Sequence, residues 1–313
     1  MSQAAPGLWE ITSGAEAVCG TMVVMAQVDS APVARLMGAV PPPALVLIGI
    51  VSVQVGAAFA KRLFEVLGAA GTVSLRLFLA AVVLLLIWRP SVRVDRRTLL
   101  VVAGYGTVLA AMNLTFYQAL DRIPLGAAVT IEFLGPLAVA VAGSRRWLDG
   151  LWALLAAGGV LLLTRAEGGL APGGVLFALA AAACWAGYIL LTAKLGSQTS
   201  DGKGLALAMA VGALVALPFG VTSAGAALFD PVVLAAGLAV ALMSSVVPYS
   251  LELQALRRIP PRVFGILMSL EPAVAAVAGL LVLGEQLKPA QWAAVCCVVI
   301  ASVGATRSAR PEV

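Results

Sequence analysis

The chain has no histidine, and that absence removes His-based zinc sites, Ser-His triads and imidazole proton relays together. Charge is also scarce: Asp, Glu, Lys and Arg make up 11% of the 313 residues, against about a quarter in a soluble globular domain. The four cysteines, Cys19, Cys184 and the neighbours Cys296 and Cys297, suit neither a disulfide frame nor a metal site. No phosphate-cradling GxxxxGK[ST] loop occurs, so the chain does not hydrolyse nucleotides by that route and any pumping draws on an ion gradient or another chain. Neither an Asp pair within an apolar run nor an Asp-rich prenyl-diphosphate motif is present, which argues against a membrane-embedded enzyme. Nothing in the sequence implies a cofactor.

What is present is apolar. Hydrophobic residues form 61% of the chain, too many to be covered by a polar shell, so the lipid bilayer becomes the default solvent. Apolar runs near the ~20 residues a bilayer core requires are predicted to begin near Ala44, Gly71, Leu99, Leu125 and Leu148, then near Gly173, Gly204, Val232, Val263 and Gln291. Those are ten spans joined by short loops. Assigning loops to alternate sides puts fourteen Lys and Arg on one side and five on the other, with Arg76 inside a span. That split predicts a multi-pass protein of the cytoplasmic membrane with both termini in the cytoplasm, and it makes the net charge of +5 a matter of orientation, with no nucleic-acid partner. Residues 1–41 are read as a disordered tail, because Ala17 to Val28 is too short to span and no basic segment precedes it; a start at Met37 is one explanation.

An internal duplication organises the rest. Shifted by 136 residues, QALDRIP at 118–124 lies over QALRRIP at 254–260, and six of the seven positions agree. The same offset sets Pro136 on Pro272 and gives 12 identities in the 26 positions from 118 to 143. Lys61 with Lys194, and Trp152 with Trp292, pair at slightly different offsets. Five spans per half force the second half to enter the membrane from the opposite side. The predicted fold is therefore all-α, with ten transmembrane helices as two inverted five-helix repeats over 42–170 and 171–308, then a tail over 309–313. Secondary transporters are commonly built this way, with the cargo site near the midplane between the repeats.

Several polar residues fall where lipid would penalise them. Arg76, Glu132, Glu252 and Glu271 lie within spans, where a lipid-facing charge costs at least ~2.5–3.5 kcal/mol, so they are expected to face an interior. Glu132 and Glu271 lie near mid-depth. Glu252 lies close to Arg257 and Arg258, which leaves an interfacial ion pair as the competing account, and Arg76 is near enough to a span end to snorkel. Pro136 cannot donate to the carbonyl of Glu132, and Pro272 frees that of Met268; either break holds polar cargo or merely kinks the helix. Asn113 and Tyr117 stand one turn apart on the third span, while Ser245, Tyr249 and Glu252, with Pro248 among them, share the eighth. Gln54 and Trp185, on the paired first and sixth spans, are weaker candidates. Hydrogen bonds between helices would explain such groups equally well.

The strings IEFLGPLAVA at 131–140, SRR at 144–146, CWAGYIL at 184–190, PYSLE at 248–252 and FGILMSLEPAVAAVAG at 264–279 resemble the EamA-type branch of the drug/metabolite transporter superfamily. Within it they are most similar to the threonine/homoserine exporter group, over roughly Ala44 to Thr306. The resemblance implies export of small amino acids in exchange for protons, through a cavity taking in Asn113, Glu132, Trp185, Tyr249 and Glu271. In that scheme Glu132 alternately holds a proton and the ammonium group of the cargo, while Arg76 or a helix N-terminus holds the carboxylate. An exporter of cationic drugs or other metabolites on the same fold, and a membrane scaffold or receptor without transport, are the alternatives.

Overall fold

The computed structural model describes residues 40–90, 96–142, 147–165, 169–195, 203–256 and 258–308, and every regular element among them is helical. In chain order they are α1 (Pro42–Arg62), α2 (Phe64–Trp88), α3 (Arg96–Leu120), α4 (Leu125–Glu132), α5 (Leu134–Ala142), α6 (Trp147–Arg165) and α7 (Pro172–Leu195). There follow α8 (Lys203–Ala224), α9 (Pro231–Ala241), α10 (Val247–Leu256), α11 (Pro261–Met268), α12 (Glu271–Ala278) and α13 (Pro289–Ser308). The readings made for residues 1–39 and 309–313 lie outside the described residues.

The helices start where proline permits. Five of them, α1, α7, α9, α11 and α13, open on Pro, whose missing N–H costs nothing in a first turn. Asp230 caps α9, its carboxylate accepting from the N–H of Val232 at 2.8 Å and of Val233 at 3.2 Å. The observed starts fall close to the predicted ones except in the second span, where helix begins at Phe64 instead of near Gly71. Gly68 accounts for the difference: its φ of 68° turns the chain, so a short helical stretch precedes the membrane helix proper.

Nine helical segments among the described residues are long and apolar enough to cross a membrane, counting the broken fourth and ninth spans as one segment each. The one remaining predicted span, the eighth, runs from Pro231 as α9, passes through a π-helical turn at Leu242–Val246 and continues as α10. Pro248 lacks the N–H that the carbonyl of Ser244 would otherwise receive, which suits a loosened turn there. The Ser52 hydroxyl of α1 donates to the carbonyl of Met243 at 2.8 Å and satisfies part of that turn.

The fourth and ninth spans are interrupted at matching places. The fourth breaks at Phe133, between α4 and α5; the N–H of Leu137 reaches the carbonyl of Phe133 at 3.3 Å, and Pro136 offers none to Glu132. The ninth breaks at Ser269 and Leu270, between α11 and α12, leaving Pro272 harmlessly in the first turn of α12. The Ser269 hydroxyl donates to the carbonyl of Gly265 at 2.9 Å and lies 2.7 Å from the Ser302 hydroxyl of α13, tying the break to its neighbour.

Small residues bring the helices together, as expected where lipid gives helices no hydrophobic reason to associate. A Cβ on Gly126 would stand 2.6 Å from the Cα of Ala276, so α4 and α12 touch backbone to backbone. Leu125 lies against Gly279, at the finish of α12, which means that the start of one broken span meets the end of the other and the two run antiparallel. Large apolar side chains instead point outward: Leu86, Leu154, Leu214 and Phe229 are all exposed. That distribution suits acyl chains as the outer solvent.

Candidate functional site

Charged and amide side chains converge where the two broken spans cross. Arg76 of α2 is 9% exposed, buried among its partners, which decides between the two readings of it against snorkelling. Its guanidinium donates to Oδ1 of Asn113 on α3 and lies over the Tyr117 ring, 5.1 Å from the centroid. The Asn113 amide is fixed from the other side, because Nδ2 donates to the carbonyl of Leu109 at 2.8 Å. Arg76 Nε and the Tyr117 hydroxyl are buried without a hydrogen-bond partner among the described residues. Buried donors in that condition invite an acceptor.

Opposite them stand the carboxylates. Glu132 ends α4 at the fourth-span break, is 7% exposed, and lies within electrostatic range of both Arg76 and Glu271. Phe133, the break residue, packs edge-on against Trp185 of α7 with ring centroids 5.5 Å apart, so Trp185 borders the site as an apolar wall. Glu271 opens α12, where the helix N-terminus favours a negative group. Its Oε1 accepts from Gln54 Nε2 of α1 at 3.4 Å, while its Oε2 is buried without a hydrogen-bond partner among the described residues. Gln54 is thus closer to the chemistry than its bare position in an apolar run suggests.

Glu252 is 4% exposed and buried between α10 and α1; its Cγ and Oε1 would meet a Cβ on Gly49 at 3.4 and 3.5 Å. Its Oε2 has no hydrogen-bond partner among the described residues, and it lies within electrostatic range of Glu271. Arg258 Nη1 reaches the carbonyl of Val40 at 3.3 Å, and Arg257 lies outside the described residues. Tyr249 sits on α10 between Pro248 and Glu252, but its side chain lies outside the described set. Ser244 and Ser245, on the π turn, are both buried. A π turn beside a proline has no periodic signature, and only the polar run at Ser244–Ser245 hinted at it.

One buried guanidinium within electrostatic range of the buried Glu132, with buried Glu271 and Glu252 following in a chain beyond it, at the junction of interrupted helices in an apolar bundle, defines a polytopic membrane carrier. Comparison with known proteins gives the same class. The model of the EamA-like transporter family matches residues 172–307. The threonine/homoserine exporter RhtA of Escherichia coli (strain K12) is 42% identical over 275 residues, covering 87% of this chain and 93% of that protein. The exporter of the same name from Salmonella typhimurium (strain LT2) is 41% identical over the same length and shares. The chain belongs to the EamA-like transporter family: it is a multi-pass membrane transporter and not an enzyme.

Proposed function

We propose that the protein exports small amino acids of the threonine and homoserine kind from the cytoplasm, exchanging each for inward-moving protons. The observation that carries this reading is the pairing of opposite charges across one buried site. Arg76, held by Asn113 and Tyr117, offers N–H groups to a carboxylate, and Glu132 offers oxygens to an ammonium. A zwitterion presents both groups, whereas a cationic drug would use the carboxyls and leave a buried guanidinium unanswered. The relatives named for threonine and homoserine export support the same cargo.

Exchange follows from single occupancy. Glu132 cannot hold a proton and an ammonium at once, so loading of cargo displaces a proton and protonation releases cargo. The antiparallel contact of α4 with α12 supports two oppositely inserted repeats, over 42–170 and 171–308, rocking about that crossing. The basic-residue asymmetry supports cytoplasmic termini and a place in the cytoplasmic membrane.

Counterflow in proteoliposomes, run with a panel of amino acids and cationic drugs across a pH gradient, tests the reading. Threonine and homoserine are expected to exchange, and exchange of cations alone would replace the amino acid by a drug as cargo. Glu271 is expected to serve the helix start more than the charge. Glu271→Gln keeps an acceptor for Gln54 and is therefore expected to retain counterflow within about fivefold of wild type, a loss of roughly 1 kcal/mol at most. A well-folded but inactive Glu271→Gln protein would move Glu271 into the cation-binding role.

A further inference from the structure

Away from the central site, a partly buried ion pair ties α1 to the end of the ninth span at one end of the bundle. Lys61 Nζ, in the last turn of α1, lies 2.6 Å from Glu285 Oε1 and also donates to the carbonyl of Ile123 at 3.1 Å. Glu285 Oε2 accepts from the backbone N–H of Leu125 at 2.7 Å. That bond caps α4, whose own cap residue, Pro124, has no side chain able to do so. Glu285 is itself fixed in place: its N–H returns to the carbonyl of Gly279 at 3.0 Å across Gly284, whose φ of 69° makes the turn. Arg62 adds a bond to the carbonyl of Val282.

We infer that Lys61 and Glu285 form the outer gate of the transport path, closing it by capping α4 of the first half from the far end of the ninth span in the second. Glu132 lies seven residues beyond Leu125, about 10 Å along a helix, so the clamp sits directly on the exit side of the central site. The direction rests on the proposed export orientation, in which Lys61 belongs to the poorly basic, outer face.

The opposite mouth cannot be held the same way. The 136-residue offset sets Asp149 in place of Glu285 and Ile259 in place of Ile123, but it sets Pro261 in place of Leu125. Proline has no N–H, so the capping bond that completes the clamp has no counterpart there. The two mouths are therefore held by different bonds. An exporter gains from that asymmetry, because it waits for cargo with the outer side shut.

Two measurements on the reconstituted full chain test this. A water-soluble, membrane-impermeant carbodiimide activates the Glu285 carboxyl, and attack by Lys61 Nζ forms an amide while the carboxyl oxygen leaves on the urea by-product. Mass spectrometry is expected to find the 61–285 cross-link, with counterflow falling in proportion to the linked fraction, and the reagent causing Lys61→Gln protein no loss relative to its own untreated level. Full counterflow in cross-linked protein, or no cross-link at all, would overturn the gate. The second measurement needs no cargo: Glu285→Gln is expected to speed backbone hydrogen exchange over residues 125–131 by about tenfold, as the charge-assisted cap is lost. Unchanged exchange would also overturn it, and a failed amino-acid screen leaves this result readable.

Discussion

Glu132→Gln is expected to abolish proton-driven uphill export while leaving a folded, membrane-inserted protein. The amide nearly matches the carboxyl in size, so the helix end and the contacts around Phe133 and Trp185 are retained. What disappears is the only step that links the two gradients. A neutral amide neither takes up a proton nor answers an ammonium with charge, and removing one partner of a buried charge pair costs about 2–5 kcal/mol. Export against a gradient should therefore fall by about 100-fold or more. Residual downhill exchange of cargo for cargo is the informative remainder, because it separates lost driving force from lost binding. Measured in proteoliposomes with the acid side outside, full retention of pH-driven export by the Gln variant would remove Glu132 from the mechanism.

Much of this fold was legible in the sequence because the bilayer imposes it. Apolar length locates spans, prolines mark their first turns, and the 118–143 repeat locates two equivalent interruptions. Side-chain direction was less legible. Arg76 could be read as snorkelling or as buried, and only the position of α3, which brings Asn113 and Tyr117 against it, decides for burial. Gln54 looked incidental until α12 placed Glu271 beside it. The clamp at Lys61 and Glu285 was least visible: the loose pairing of Lys61 with Lys194 was its one trace, and nothing in the apolar pattern singles out Glu285. Residues 224 positions apart in the chain carry no local pattern that joins them.

The central site also makes a sharper claim than the presence of buried carboxylates, and it concerns Arg76. If its guanidinium holds the carboxylate of the cargo, then threonine should be preferred strongly over 1-aminopropan-2-ol, the amine left when that carboxylate is removed. Arg76→Gln should erase the preference, raising the apparent KM for threonine by about 100-fold, in keeping with the 2–5 kcal/mol attached to a buried charged pair. The amine should bind no worse. Arg76→Lys should not rescue the discrimination fully, because an ammonium cannot both bond Asn113 in a planar fork and stack on Tyr117. A purely structural Arg76 predicts a different pattern: both ligands weakened together, with the thermal midpoint of the solubilised protein lowered in parallel. Competition of the two ligands in counterflow distinguishes the cases, and an unchanged threonine-to-amine ratio in Arg76→Gln would assign carboxylate recognition elsewhere, with the N-terminus of α12 the next group to test.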